Sequence, residues 1–236
     1  MQNKQIIVLA GGFGTRLQSI LKGRPKSLAN INGIPFLKYL LHKWVADGFD
    51  EFIFSLHFSS EEIISFISFE RNYGILKSCK IQIVVESHAL GTGGAISFAL
   101  ENAEINDTFF VANSDTWIGG SILELDYSDD NIILLAEVED TSRYGSIKLL
   151  GNKIISFEEK GDAFGKGFIN AGTYKLNKSI FHSWDKLPYS LEKDLFPSLM
   201  VENRLFGQKI NNTFIDIGIP TDYYRFCDFS KNISLK

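Results

Sequence analysis

The chain has 236 residues, 44% hydrophobic and 22% charged, the composition of a soluble globular protein with room for one large domain. A net charge of −4 and a pI near 5.6 exclude a protein that coats nucleic acid or an anionic membrane, though not a local basic site for a small anion. No apolar run approaches the ~20 residues of a membrane span, and the N-terminal run is too short for a signal peptide. Cys79 and Cys227 form neither a CxxC pair nor a disulfide framework. A cytoplasmic protein with two buried cysteines is expected.

QIIVLA (residues 5–10) is a β-branched run of the kind buried on both faces of a parallel sheet. Residues 35–48 follow as a helix, with proline in its first turn, apolar residues at 3.6 spacing and a closing glycine. FIFSL is the second strand, EEIISFISFERNYG the second helix, IQIVVE the third strand, GGAISFALENA the third helix and TFFVAN the fourth strand, ending at Asn113. Strands and helices alternating at this spacing predict a doubly wound, mostly parallel α/β sheet. Beyond Asp130 the pattern becomes strand-rich: IILLAEVE, SIKLL, KIISFEE and GFINAGTYKL, inserted as antiparallel strands. A helix pair around LEKDLFPSLMVEN and a strand TFIDIG close the pattern, and the ending FCDFSKNISLK is expected to pack or fray. No repeat, low-complexity tract or linker interrupts the chain. One domain over 1–236 is expected, with a nucleotide-binding half (1–130) and a second half (131–225).

LAGGFGTRL, Leu9 to Leu17, concentrates the chemistry. A dinucleotide fingerprint needs GxGxxG and an acid ~20 residues on. Here Leu17 stands at the third glycine position and no acid follows at the required distance. A P-loop needs GK[ST], which is missing. A plain strand-to-helix turn explains neither Thr15-Arg16 nor the GRPKS cluster at residues 23–27. Glycines at the carboxyl end of the first strand expose backbone N–H groups to an anion, and Arg16 and Lys26 add two cations. Together they describe a triphosphate site without a Walker lysine.

LAGGFGTRL followed by PKS closely resembles the signature of the sugar-1-phosphate nucleotidylyltransferases, G-G-x-G-T-R-L-x(n)-P-K, and the resemblance runs from Gln5 to about Tyr223. GTGGAI and the single-domain length look most like the bacterial D-glycero-D-manno-heptose 1-phosphate guanylyltransferases. The resemblance implies a Rossmann-like fold of the nucleotide-diphospho-sugar transferase type. It also implies attack by a sugar 1-phosphate oxygen on the α-phosphorus of a nucleoside triphosphate, with release of pyrophosphate. Such chemistry needs in-line positioning, cations on the phosphates and Mg2+ held by few carboxylates. Arg16, Lys26 and Asp115 are the expected catalytic residues, with Asp115 and Asp216 holding Mg2+. Leu9, Ala10, Gly11, Gly12, Gly14, Thr15, Arg16, Lys26, Glu86, Gly91, Thr92 and Asn113 are expected around the nucleotide. Gly145, Glu159, Lys160 and Asn170 are expected around the sugar phosphate.

The stretch ESHALGTGGA should cover the base, its glycines flat against the ring. Glu86 complements the N1–H and N2–H donors of guanine, while relatives with other bases carry an acid at the same place. The four histidines show neither metal-ligand spacing nor a triad partner. Two departures stand out: PKSLANI replaces the later prolines of P-K-P-x-x-P and should loosen the loop after Lys26, and NSD replaces N-G-D, so Ser114 must avoid positive φ or bear strain. Cytidylyl, uridylyl or mannose-1-phosphate guanylyl transfer fits the same scaffold. Phosphocholine would want an aromatic cage. A silent regulatory subunit should lack one of Arg16, Lys26, Asp115 and Asp216, and all four are present. A monomer or homodimer without nucleic-acid or membrane partners is expected.

Overall fold

The computed structural model describes residues 4–125, 131–158, 165–181, 184–210 and 212–235. Strands Gln5–Ala10 (β1), Glu51–Leu56 (β2), Lys80–Val85 (β3) and Thr108–Asn113 (β4) lie parallel, with β1 between β2 and β4 and β3 outside β2. Helices Phe36–Ala46 (α1), Ser60–Tyr73 (α2) and Gly91–Asn102 (α3) make the crossovers. Strand β2 is buried throughout and β1 almost so, as strands sandwiched between helical layers must be.

Past residue 130 come Asn131–Val138 (β5), Ser146–Leu150 (β6), Lys153–Glu158 (β7), Gly167–Asn177 (β8) and Leu205–Ile210 (β9). Among the described residues one nine-stranded sheet results, in the order β3-β2-β1-β4-β8-β5-β9-β7-β6. Strand β8 runs antiparallel to both β4 and β5, so the two halves expected from the sequence share one continuous sheet. Successive side chains of β1 serve opposite faces, as the pleat requires. Ile6 and Val8 join the core beneath α1 and α2, and Ile7 joins the core beneath α3.

Strand β9, LFGQKI, was missed because a central glycine and two polar residues hide its period. The C-terminal stretch forms a helix, Pro220–Ser230 (α5), with Pro220 at its start and Asp222 in its first turn. The half-boundary drawn at residue 225 therefore falls inside a helix. The helix pair is instead a π-helical turn, Leu191–Leu195, running straight into Phe196–Val201 (α4). Cys79 and Cys227 are half-buried free thiols, not fully buried hydrophobes.

The loop after Lys26 is held without its prolines. The Tyr223 hydroxyl donates to the Asn30 carbonyl, Asn32 Nδ2 donates to the Cys227 carbonyl at 2.7 Å, and Phe36 N donates to the Ala29 carbonyl at 2.9 Å. Helix α5 itself is fixed by Phe226, fully buried against Phe36, Tyr39 and Trp117.

Candidate active site

The carboxyl ends of β1, β2, β3 and β4 converge, the place where open α/β sheets bind ligands. Leu9 pairs with Asn113 across β1 and β4, and Ser114 N donates to the Leu9 carbonyl at 3.1 Å. Glu86 N donates to the Leu56 carbonyl at 2.8 Å. A cavity of about 330 Å3 opens over these ends, and a second of about 640 Å3 lies toward the antiparallel strands. Lys26, Asn113 and Asp115 line both.

The glycine loop leaves β1 and turns into the helical turn Thr15–Leu17. Gly14 has φ +59°, and a Cβ there would sit 3.0 Å from Lys26 Cβ. Only glycine reconciles the left-handed turn with a lysine packed so closely. Leu9, Ala10, Gly11, Gly12, Glu86, Gly91 and Thr92 join Lys26, Asn113 and Asp115 in the first cavity. Gly14 and Thr15 line neither cavity; they shape the turn instead. Arg16 is exposed and lines the second cavity. Gly145, Asn170 and Asp216 also line the second. Glu159 and Lys160 lie outside the described residues.

A short ribbon joins the two aspartates. Thr116–Ile118 pairs antiparallel with Phe214–Asp216, setting Thr116 opposite Asp216, and Ile217 N donates to the Asp115 carbonyl at 3.0 Å. Lys26 Nζ pairs with Asp115 Oδ2 and lies 4.0 Å from Asp216 Oδ1. Burial pulls the Lys26 ammonium pKa down, but the two carboxylates outweigh it and hold it above the lysine norm. Burial pushes Asp115 up, and Lys26 more than reverses this, leaving it below the usual carboxylate range. Asp216 stays raised, by burial and then by the Asp115 charge. One ammonium thus faces two carboxylates and leaves one of them under-neutralised. Two such carboxylates can hold a divalent cation of the kind that completes its shell with phosphate oxygens and water. Among the described residues no group of three or more His, Cys, Asp or Glu side chains could hold a metal.

At the far wall of the first cavity the Glu86 carboxylate accepts from Ser55 Oγ and from Leu90 N, both at 3.1 Å. Burial pushes its pKa up, and these two hydrogen bonds offset only part of the rise. A carboxylate offers about four acceptor positions, so acceptor capacity is left for a ligand. His57 lines the same wall, its Nδ1 3.1 Å from the Glu86 carbonyl. Phe13, half exposed, packs edge-on against its ring. The Ser27 hydroxyl, in the proline position of the motif, is buried without a hydrogen-bond partner. Ser114 adopts no positive φ and is unstrained in this respect.

The glycine-rich stretch also has a structural role. Gly93 and Gly94 N donate to the Tyr189 carbonyl at 3.0 and 3.3 Å, and a Cβ on Gly93 would fall 2.2 Å from the Tyr189 ring. These two glycines admit a neighbouring segment, while Gly91 and Thr92 of the same stretch line the first cavity. The Thr92 hydroxyl is likewise engaged, donating to Glu192 at 3.1 Å. Tyr144, Tyr174, Ser190 and Glu192, which the sequence reading did not single out, line the second cavity. The Tyr144 phenol is pushed up to about 12 by burial and by Asp216. Only the polar S-L-E-K-D run signalled Glu192, and it reads equally as an ordinary helix start.

A glycine loop at the end of the first parallel strand, two cations, and paired aspartates at the junction of two cavities define a site for phosphate transfer between two substrates. Residues 5–232 match the nucleotidyl transferase family, and the chain belongs to it and is a nucleotidyltransferase. It is 36% identical over 229 residues to the D-glycero-α-D-manno-heptose 1-phosphate guanylyltransferase of Campylobacter jejuni, covering 94% of this chain and 98% of that one. It is 31% identical over 225 residues to the enzyme of the same name from Aneurinibacillus thermoaerophilus, covering 93% and 95%. The crystal structure of HddC from Yersinia pseudotuberculosis superposes with a TM-score of 0.83 at 34% identity, over 96% of this chain and 99% of that one. HddC has also been solved in complex with GMP-PN.

Proposed function

We propose that the enzyme transfers GMP from GTP to D-glycero-α-D-manno-heptose 1-phosphate, giving GDP-heptose for a surface polysaccharide and releasing pyrophosphate. The observation that carries this reading is the junction at Lys26, Asn113 and Asp115, walls common to both cavities. A nucleotide in the first cavity and a sugar phosphate in the second would bring their phosphates together there. The two relatives of that name, matched over nearly their whole length, support the choice of base and sugar.

The sugar phosphate oxygen attacks the α-phosphorus, a new P–O bond forms, and the bond to the bridging oxygen breaks as pyrophosphate departs. The nucleophile is already ionised at neutral pH, so no protein base is required. Lys26, kept protonated by its two carboxylates, and Arg16 offset the phosphate charge as it redistributes. Glu86 accepts the N1–H and N2–H donors of guanine, and Asn170 and Gly145 meet the sugar. The under-neutralised aspartate pair fits Mg2+, with Asp115 and Asp216 as ligands; when bound it supplies positive charge to the phosphates. Glu159 and Lys160 complete the sugar-phosphate contacts in this reading.

The acidic pI and the two free thiols agree with a cytoplasmic enzyme, active as a monomer or homodimer. Among the described residues no helix is long and apolar enough to cross a membrane. The deciding assay is pyrophosphate release with Mg2+, offering each nucleoside triphosphate with heptose, mannose and glucose 1-phosphates. Release with GTP and the manno-configured heptose alone is the expected result. Turnover with CTP or UTP overturns the base assignment, and turnover with mannose 1-phosphate overturns the sugar. Binding of GTP without turnover of any pair would make the protein a regulatory subunit.

A further inference from the structure

Besides Lys26, Asn113 and Asp115, which line both cavities, the Glu192 carboxylate links their walls among the described residues. Glu192 sits in the π-helical turn 191–195, where the extra residue of a wide turn re-aims a side chain. One of its oxygens accepts from the Thr92 hydroxyl at 3.1 Å and from Ser190 Oγ at 2.7 Å. The other accepts from the Tyr174 hydroxyl at 3.2 Å, with Asn170 Nδ2 at 3.4 Å. Thr92 belongs to the wall of the first cavity, whereas Tyr174 and Asn170 belong to the second.

The direction of every bond in this chain is forced. An ionised carboxylate only accepts, so Tyr174 and Thr92 must spend their hydrogens on Glu192. The Tyr174 oxygen is then left as an acceptor, and Asn170 Nδ2 donates to it at 2.9 Å. Asn170 Oδ1 independently accepts from Gly172 N at 2.8 Å, which fixes the same orientation of the amide. On the other side the Thr92 oxygen accepts from Leu191 N at 3.0 Å. Burial, with the Glu192 charge behind it, raises the Tyr174 phenol well above its ordinary value, so it remains a donor across the working range.

We infer that Glu192 is a positioning residue for the sugar-phosphate cavity. Through the Tyr174 hydroxyl it sets the amide of Asn170, and through Thr92 it anchors that setting to the wall of the nucleotide cavity. The inference rests on the second cavity being the sugar 1-phosphate site. Glu192 need not touch the sugar; together with the Gly172 N–H it holds the orientation in which Asn170 presents its donor and acceptor.

The test is steady-state kinetics with GTP and heptose 1-phosphate on wild type, Glu192→Met, Glu192→Gln, Tyr174→Phe and the Glu192→Met/Tyr174→Phe double variant, with melting temperatures alongside. Glu192→Met should raise the KM for the sugar phosphate about tenfold, the scale of one lost charge-assisted hydrogen bond. The KM for GTP should move by less than about twofold. Glu192→Gln keeps an acceptor for Tyr174 and should recover most of the loss. Tyr174→Phe should match Glu192→Met, and the double variant should be no worse than either. Equal rises in both KM values, unchanged kinetics with only a lowered Tm, or additive effects in the double variant would overturn the inference. If Glu192→Met fails to fold, Tyr174→Phe and Glu192→Gln still decide, because an unchanged sugar-phosphate KM in Tyr174→Phe overturns it alone. A wild-type protein inert toward every sugar 1-phosphate would overturn the reading of the cavity itself, whereas an active wild type with indifferent variants overturns only the role of Glu192.

Discussion

Lys26 holds together the charges on which the rest of the site depends. It is paired with Asp115, lies 4.0 Å from Asp216 and faces both cavities. Lys26→Ala or Arg16→Ala should lower kcat by about 100- to 1,000-fold, the usual loss when a partner of transition-state charge is removed. Wild-type turnover in either folded variant would remove these cations from the mechanism. The same pair shapes stability against pH. Asp115 titrates below its ordinary 3.8 in the folded state, so its pairing stabilises the fold above that value and fades as pH falls through the lowered pKa. Asp216 is raised and acts in the opposite sense, its contribution present at low pH and lost as pH climbs through its folded pKa. Lys26→Met should therefore lower Tm at neutral pH and leave it unchanged well below pH 3.8, which thermal melts at the two pH values would check. Glu86 makes a second pH prediction. Its raised pKa places the loss of its charge above the ordinary 4.5, so the KM for GTP should begin to rise on the acid side earlier than a free glutamate would allow. Glu86→Gln should abolish that limb and cost about tenfold in the preference for guanine.

At the scale of elements, the glycine loop shows how local backbone geometry sets chemistry. Gly14→Ala forces an L-residue into φ +59° and drives a methyl group to within 3.0 Å of Lys26 Cβ. The left-handed backbone costs about 1–2 kcal/mol, and the displaced lysine should cost at least about tenfold in kcat/KM. A kcat/KM within twofold of wild type, measured on folded protein, would show that the loop tolerates the shift. The turn was legible because its glycines announce it, and the arginine and lysine that drew attention to it do line the cavities. The parallel strands were legible for a similar reason, since long β-branched runs have few alternatives. Glu192 was not, because its role comes from an irregular turn that brings residues about 100 positions apart together. The glycines of the GTGGA stretch were visible, but their reason was not. They admit the Tyr189 backbone and ring, a contact that sequence spacing does not record. Glu159 and Lys160, singled out from FEEK, lie outside the described residues.

At the scale of the molecule, a single sheet carries the walls of both cavities. Strand β8 joins the parallel strands under the first cavity to the strands that shape the second. A border near residue 130 falls between β4 and β5, which run the same way on either side of the antiparallel β8, and is not a seam where the protein could be divided. The last helix ties the ends of the architecture together. Phe226 is fully buried among Phe36, Tyr39 and Trp117, so Phe226→Ala should destabilise the fold by about 3–5 kcal/mol. Denaturant unfolding would check this, and a loss under 1 kcal/mol would mean that the cluster collapses onto the gap.

The clasp of α5 on the segment after Lys26 has a consequence for the chain as it is made. Lys26 is made long before the groups that hold its loop, since the Tyr223 hydroxyl and the Cys227 carbonyl reach back 193 and 195 positions to Asn30 and Asn32. A chain interrupted before this helix would carry Lys26 without either of these hydrogen bonds to the segment that follows it, so the loop can settle only once the helix has been made.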